Sequence, residues 1–181
     1  MFDKDIKING IYATHLKSLA KDRDGQNVKK PYIFERYIDV YETAAIVGLL
    51  EGSPIMKPDF TVKDTVQIMA DAFIREQETC MFIYRLVMLL DRTTEITDEE
   101  RIDRAFRDDG DLTYNAEKIK INMNLFNAYV YSGIEKLYSR IMDNVTNQDG
   151  MLDNIEDWMN HFHKEYICCE TPDEYLKSMK K

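Results

Sequence analysis

A chain of 181 residues with a formal charge of −9 is long enough to bury a substantial core in one domain, and its acidity argues against a general nucleic-acid binder, whose footprint is a basic face. Seven Gly and four Pro set beside 11 Tyr and 8 Phe exclude a disordered or turn-rich chain and favour long helices with bulky core residues. Cys80 and the adjacent Cys168 and Cys169 are no disulfide framework, because vicinal cysteines bridge only under strain; reduced thiols in a cytoplasmic protein are the expectation.

In chain order, the opening "MFDKDIKING" lacks the apolar core of a signal peptide, so none is expected. Its alternation at Ile6 and Ile8 predicts a short strand. Ile11, His15, Leu16 and Leu19 follow at helical spacing, and "RDGQNVKKP" reads as a polar loop closed by Pro31. "YIFERYIDVYETAAIVGLLEG" predicts a helix with Phe34, Ile38, Tyr41, Ala45 and Gly48 or Leu49 on one stripe and Gly52 as its stop. Ala44, Ala45 and Gly48 make a thin face suited to close packing.

Residues 64–73 fit either the start of a helix or a short β-segment. "IREQETCMFIYRLVMLLD" is apolar around much of its circumference, which predicts a central helix. Its apolar run of 11 residues holds Arg85 and is too short to span a bilayer, so no membrane partner is expected. Thr97 followed by Glu100 marks a capping box ahead of "RIDRAFR". From about 115 to 143, Ile119, Met123, Phe126, Val130, Ile134, Leu137 and Ile141 form the longest helical pattern, with Gly133 inside it as a packing position. A further helix carries Ile155, Trp158, Phe162, Tyr166 and Cys169, and Thr171, Pro172 and Glu174 cap a short terminal one. The expected architecture is a mainly α single domain, a bundle of about six helices with at most a small two-stranded β element. Residues 1–30 form an arm and loop, 31–146 the helical core and 151–181 a helical appendage.

The charge is uneven. Residues 1–40 carry eight Lys/Arg against six Asp/Glu, net +2, leaving −11 for the rest. Lys17, Lys21, Arg23, Lys29, Lys30 and Arg36 read first as a solvated basic loop, with local phosphate contact through them as the alternative.

Two stretches raise the question of a metal. "HFHKEYICCE" gathers two of the three histidines and two of the three cysteines. On a helix His161 and His163 point roughly 200° apart, and an i,i+7 pair lies about 10 Å apart along the axis. One helix cannot close a tetrahedral site that way. "VTNQDGMLDNIE" places Asn147, Asp149, Gly150, Asp153 and Glu156 at calcium-loop spacing, yet Val145 occupies the first ligand position, where an Asp is needed. A Gly turn leading into a helix with acidic early residues is the preferred account. No metal or cofactor is expected. A Gly-rich phosphate loop, a nucleophile elbow, C-x-x-C, H-E-x-x-H and the di-iron E-x-x-H repeat are all missing from the sequence.

"FERYIDVYETAAIVGLLEG" and "FNAYVYSGIEKLYSRI", with the "IKINGIYATHLKSL" opening, resemble the helix signatures of small accessory proteins associated with bacterial DNA-phosphorothioation (Dnd) defence loci. The matching positions are Tyr37, Asp39, Val40, Ala44, Ala45, Gly48, Phe126, Tyr129 and Gly133, over roughly residues 5–140. The resemblance implies an accessory or defence protein of a bacterium and carries no catalytic residues over. The leading expectation is a non-enzymatic scaffold or adaptor acting on a protein partner or a second copy. Nucleic-acid contact through residues 17–36 and a small helical enzyme with a carboxylate pocket are the alternatives.

Overall fold

A computed structural model describes residues 1–21, 31–108 and 115–166. Among them it shows a mainly α fold with seven α-helices and one two-stranded antiparallel sheet: β1 Ile6–Asn9, α1 Ile11–Leu19, α2 Tyr37–Glu51, β2 Thr65–Ile68, α3 Ala70–Arg75, α4 Gln77–Leu90, α5 Asp98–Phe106, α6 Ala116–Leu137 and α7 Gln148–Tyr166. A π-helical turn, Tyr138–Met142, continues α6, and the chain leaves it through Asn144 in the left-handed region. Arg23, Lys29, Lys30, Asp109, Cys168, Cys169 and the helix expected from Thr171 onward lie outside the described residues.

The pair α2 and α6 forms the centre. Around α2, Ile38, Val40, Tyr41, Ala44, Ala45, Val47 and Gly48 are all buried, so it is covered on nearly every side. This corrects the expectation that the 74–91 helix is the central one. Helix α4 buries Cys80, Ile83, Tyr84, Val87 and Met88 but leaves Phe82 67 % exposed. The two central helices meet backbone to backbone. A Cβ on Gly133 would stand 1.8 Å from the Ala44 carbonyl oxygen, and one on Gly48 would stand 2.0 Å from that of Tyr129. Phe126 is buried beside them, edge-on to Phe2 at 5.9 Å.

Several boundaries differ from the sequence reading for local reasons. Helix α2 starts at Tyr37, not near Tyr32, because Arg36 N–H donates to the Asp39 carboxylate at 3.1 Å and caps the helix there. Phe34 instead pairs with Ala20 in an isolated parallel bridge. The segment 64–73 is both things in turn, with Ile68 opposite Ile6 and Val66 opposite Ile8 in the sheet, then α3. Glu76 leaves helical backbone at φ −102°, ψ 22° and divides α3 from α4. Residues 1–21 are no arm, since Phe2, Ile8, Leu16 and Leu19 sit in the core at 0–1 % exposure.

The capping box of α5 is present: Glu100 N–H donates to Thr97 Oγ1 at 3.2 Å, and Thr97 N–H to Glu100 Oε2 at 2.7 Å. The latter bond draws the Glu100 carboxyl below its usual range. Thr97→Ala should cost about 0.5–2 kcal/mol, read as a lower urea midpoint at constant slope. No loss at all would mean that packing alone holds α5.

Candidate functional site

Helix α5 is turned inside out. Its buried residues are Arg101, Arg104 and Ala105, while Ile102 and Phe106, one turn apart, are 45 % and 51 % exposed. The cause lies at the end of α4. Asp91 is completely buried and accepts hydrogen bonds from Tyr129 Oη at 2.7 Å, Thr93 Oγ1 at 2.6 Å and Arg104 at 3.1 Å. Arg104 also donates to the Met88 carbonyl, and Arg101 to that of Asp91. Burial alone would raise the Asp91 carboxyl, but bonds from Thr93, Thr94 and Tyr129 outweigh it and hold the group well below the usual carboxylate range. Burial and the same carboxylate push the Tyr129 phenol up to about 12. A carboxylate and two guanidiniums matched in this way tie α5 to α4 and α6 through its polar side.

The apolar side of α5 is left facing outward, beside the outer face of α4. Between them runs a groove of about 530 Å³ with Met81, Phe82, Leu86, Leu89 and Phe106 along it, Gln77 and Glu78 at one end, and the Arg85 guanidinium 5.8 Å from the centre of the Phe106 ring. Ile74 and Leu90 add exposed apolar surface. Scattered exposed hydrophobic residues are ordinary, whereas a lined apolar groove is a recognition feature. The sequence carried one usable signal for it. "RIDRAFR" has two stripes, an arginine stripe and an Ile–Phe stripe, and the buried Asp91 decides which faces inward.

The basic residues read as phosphate contacts behave differently. Lys17 pairs with Asp64, Lys21 with Glu35 at 2.9 Å, and Arg36 with both Asp39 and Glu76 at 2.6 Å. Each described cation of the set is thus engaged by a carboxylate on the protein itself. Ala44, Gly48 and Gly133 lie in the buried contact of α2 with α6, Phe126 packs against Tyr41 of α2, and Ala45 is buried on α2. Asp108 is buried and accepts from Asn122 at 3.2 Å with Lys118 at 3.4 Å.

Of the two stretches weighed as metal sites, residues 148–156 and 161–166 lie on α7, and residues 167–170 are outside the described residues. From Gln148 the chain is helical, and Asn147 Oδ1 accepts from Gly150 N–H at 2.9 Å. Asp149, Asp153 and Glu156 therefore stand at helix spacing and not around a loop. His161 pairs with Glu165 along the same helix at 2.9 Å. Among the described residues no three His, Cys, Asp or Glu side chains are grouped to hold a metal ion, and no helix is long and apolar enough to cross a membrane.

Cys80 donates its thiol to Glu42 at 3.2 Å; burial, then Glu42, push the thiol up, while burial raises the Glu42 carboxyl. A thiol held protonated is a poor nucleophile. No match to this chain was found among protein-family models, curated proteins or solved structures.

Proposed function

We propose that this protein is a non-enzymatic binding scaffold that takes an amphipathic helix of a protein partner into the α4–α5 groove. The observation that carries the reading is the orientation of α5. A helix that spends its charged stripe on Asp91 and leaves Ile102 and Phe106 in water presents apolar surface at the expense of core burial. The groove runs along α4, whose Met81, Phe82, Leu86 and Leu89 are spaced by turns, with Phe106 of α5 beside them, a form that receives an i, i+4, i+7 apolar stripe. Aromatic anchors such as Phe82 and Phe106 are the residue type on which such interfaces depend.

The basic N-terminal quarter supports nucleic-acid contact less well, because Lys17, Lys21 and Arg36 already have carboxylate partners. The resemblance to accessory proteins of DNA-phosphorothioation loci suggests where the partner belongs, namely a bacterial DNA-modification or defence complex in the cytoplasm.

The test compares wild type with Phe82→Asp and Phe106→Ser in affinity capture from the native host, followed by titration against the captured protein. Exposed positions tolerate both changes, so circular dichroism and melting should stay within ordinary surface effects, about ±0.5 kcal/mol. Affinity should fall by about 30-fold or more, as loss of a hot spot worth about 2 kcal/mol requires. Capture unaffected by both substitutions would move the working surface elsewhere. A concentration-dependent dimer abolished by Phe82→Asp would make the partner a second copy. Binding to DNA that weakens steeply with salt and ignores both substitutions would favour the basic segment.

A further inference from the structure

Helix α7 is a satellite of the fold. Its anchor is the π-helical turn, where Asn154 donates to the Ile141 carbonyl at 3.1 Å, together with the Trp158 indole N–H, which donates to Glu51 at 2.6 Å. Met151 is buried at the contact, and Ile155, Trp158 and Phe162 are half-buried. The same turn also meets α1. There the His15 imidazole lies flat on the Tyr138 ring, with centroids 3.8 Å apart and planes 8° apart. Its Nδ1 is buried and has no hydrogen-bond partner. A neutral imidazole leaves that nitrogen as a bare acceptor. An imidazolium carries a proton on both nitrogens, and the second N–H would face no acceptor in a water-poor contact, which is costly.

We propose that His15 is a pH-responsive latch whose protonation unseats the π-helical turn and releases α7 from the body of the protein. A single π-helical turn closing a long helix is a rare, irregular element, and π-turns are frequent at functional sites. It is also the element that α1 and α7 share.

The charges around the ring set the sign. Glu135, on α6 one turn before Tyr138, favours the imidazolium, and burial opposes it more strongly, so His15 titrates below its ordinary value of 6.5. On its own helix Lys17 is tied to Asp64, and on the π-turn Arg140 faces Glu51 at 3.4 Å. The neutral ring therefore stabilises the packed state fully above pH 6.5, and that contribution is lost as pH falls through the lowered value. Undocking hydrates the ring and lets it bind its proton, so acidification favours the open state by the same linkage.

Trp158 is the chain's only tryptophan, which makes the release directly readable. Wild-type emission should shift to the red as pH falls from 8 to 5, with a midpoint below 6.5 and with far-UV circular dichroism keeping its helical form. NMR titration of the three imidazoles in the same wild-type protein should show His15 changing with that midpoint. His15→Phe keeps a flat ring on Tyr138 but cannot titrate, and should lose the shift. His161→Gln/His163→Gln removes the other two imidazoles, which stand on the same helix as the indole, and should keep it. Emission that stays constant from pH 8 to 5, that follows His161 or His163, or that shifts unchanged in His15→Phe overturns the proposal. If His15→Phe fails to fold at pH 8, coincidence of the wild-type NMR and emission midpoints decides, and their separation overturns it.

Discussion

Gly133→Ala is expected to destabilise the protein, although helix propensity alone favours Ala over Gly by about 1 kcal/mol. The added methyl would stand 1.8 Å from the Ala44 carbonyl oxygen and 2.5 Å from its carbon. Both are backbone atoms, so no side chain can swing aside. Overpacking of this kind costs roughly 1–3 kcal/mol and more when backbone must move. Gly133→Leu should exceed the upper end of that range. For a chain of this size 1 kcal/mol moves Tm by about 2–4 °C, well within reach of a thermal melt. Gly48→Ala meets the mirror-image obstacle, the Tyr129 carbonyl at 2.0 Å, and should behave alike. Stabilisation by either Ala variant would mean that α2 and α6 are further apart than described. A Gly133→Leu protein that stays folded yet loses a partner would move this glycine from the core to an interface.

The second large effect is at Asp91. Asp91→Ala leaves the buried Arg104 guanidinium without its carboxylate partner, with only neutral acceptors such as the Met88 carbonyl, and takes from the Tyr129 hydroxyl its carboxylate acceptor. Breaking a buried pair from one side costs about 3–5 kcal/mol. Asp91→Leu/Arg104→Met should recover much of that loss, because a buried ion pair and a packed apolar pair are often close in energy. Losses in Asp91→Leu and Arg104→Met that add up to the loss in the double variant, in a urea-denaturation cycle, would show that the pair is not coupled. The carboxyl is held below its unfolded value. Its contribution is therefore present above about pH 4 and is lost progressively as acid protonates it. An Asp91→Asn protein should accordingly show a flatter stability profile on acidification than wild type.

Much of this fold was legible because periodicity and punctuation agreed. Ile6 and Ile8 announce β1, Thr97 and Glu100 announce the start of α5, and the Ile119 to Ile141 series spans α6 and its π-turn. The thin faces at Ala44, Ala45, Gly48 and Gly133 were recognisable because a glycine inside a strong helical pattern costs stability unless something comes close. What stayed hidden depended on contacts distant in sequence. Nothing around Asp91 states that it is buried, and without that the arginine stripe of α5 reads as its wet side. The exposed Phe82 hides in the same way, since an apolar helix looks central until its neighbours are counted. The flat contact of His15 with Tyr138 joins residues that no local pattern relates.

The way α2 and α6 cross bears on how the chain acquires its structure. The bond from Tyr41 to Asn127 joins residues 86 apart, and the strand pair joins residues about as distant as Ile6 and Ile68. Neither is a contact between neighbours in the chain. A helical protein usually reaches its native state quickly because its contacts are local, and rates fall as mean contact separation rises. Here the glycine crossing forms only after a long loop has closed, an entropic cost met before the reward of packing. Refolding from urea should therefore be slower than in an up-and-down bundle of equal length. During that interval α4 and α5, adjacent in sequence, can assemble with each other before the centre is complete.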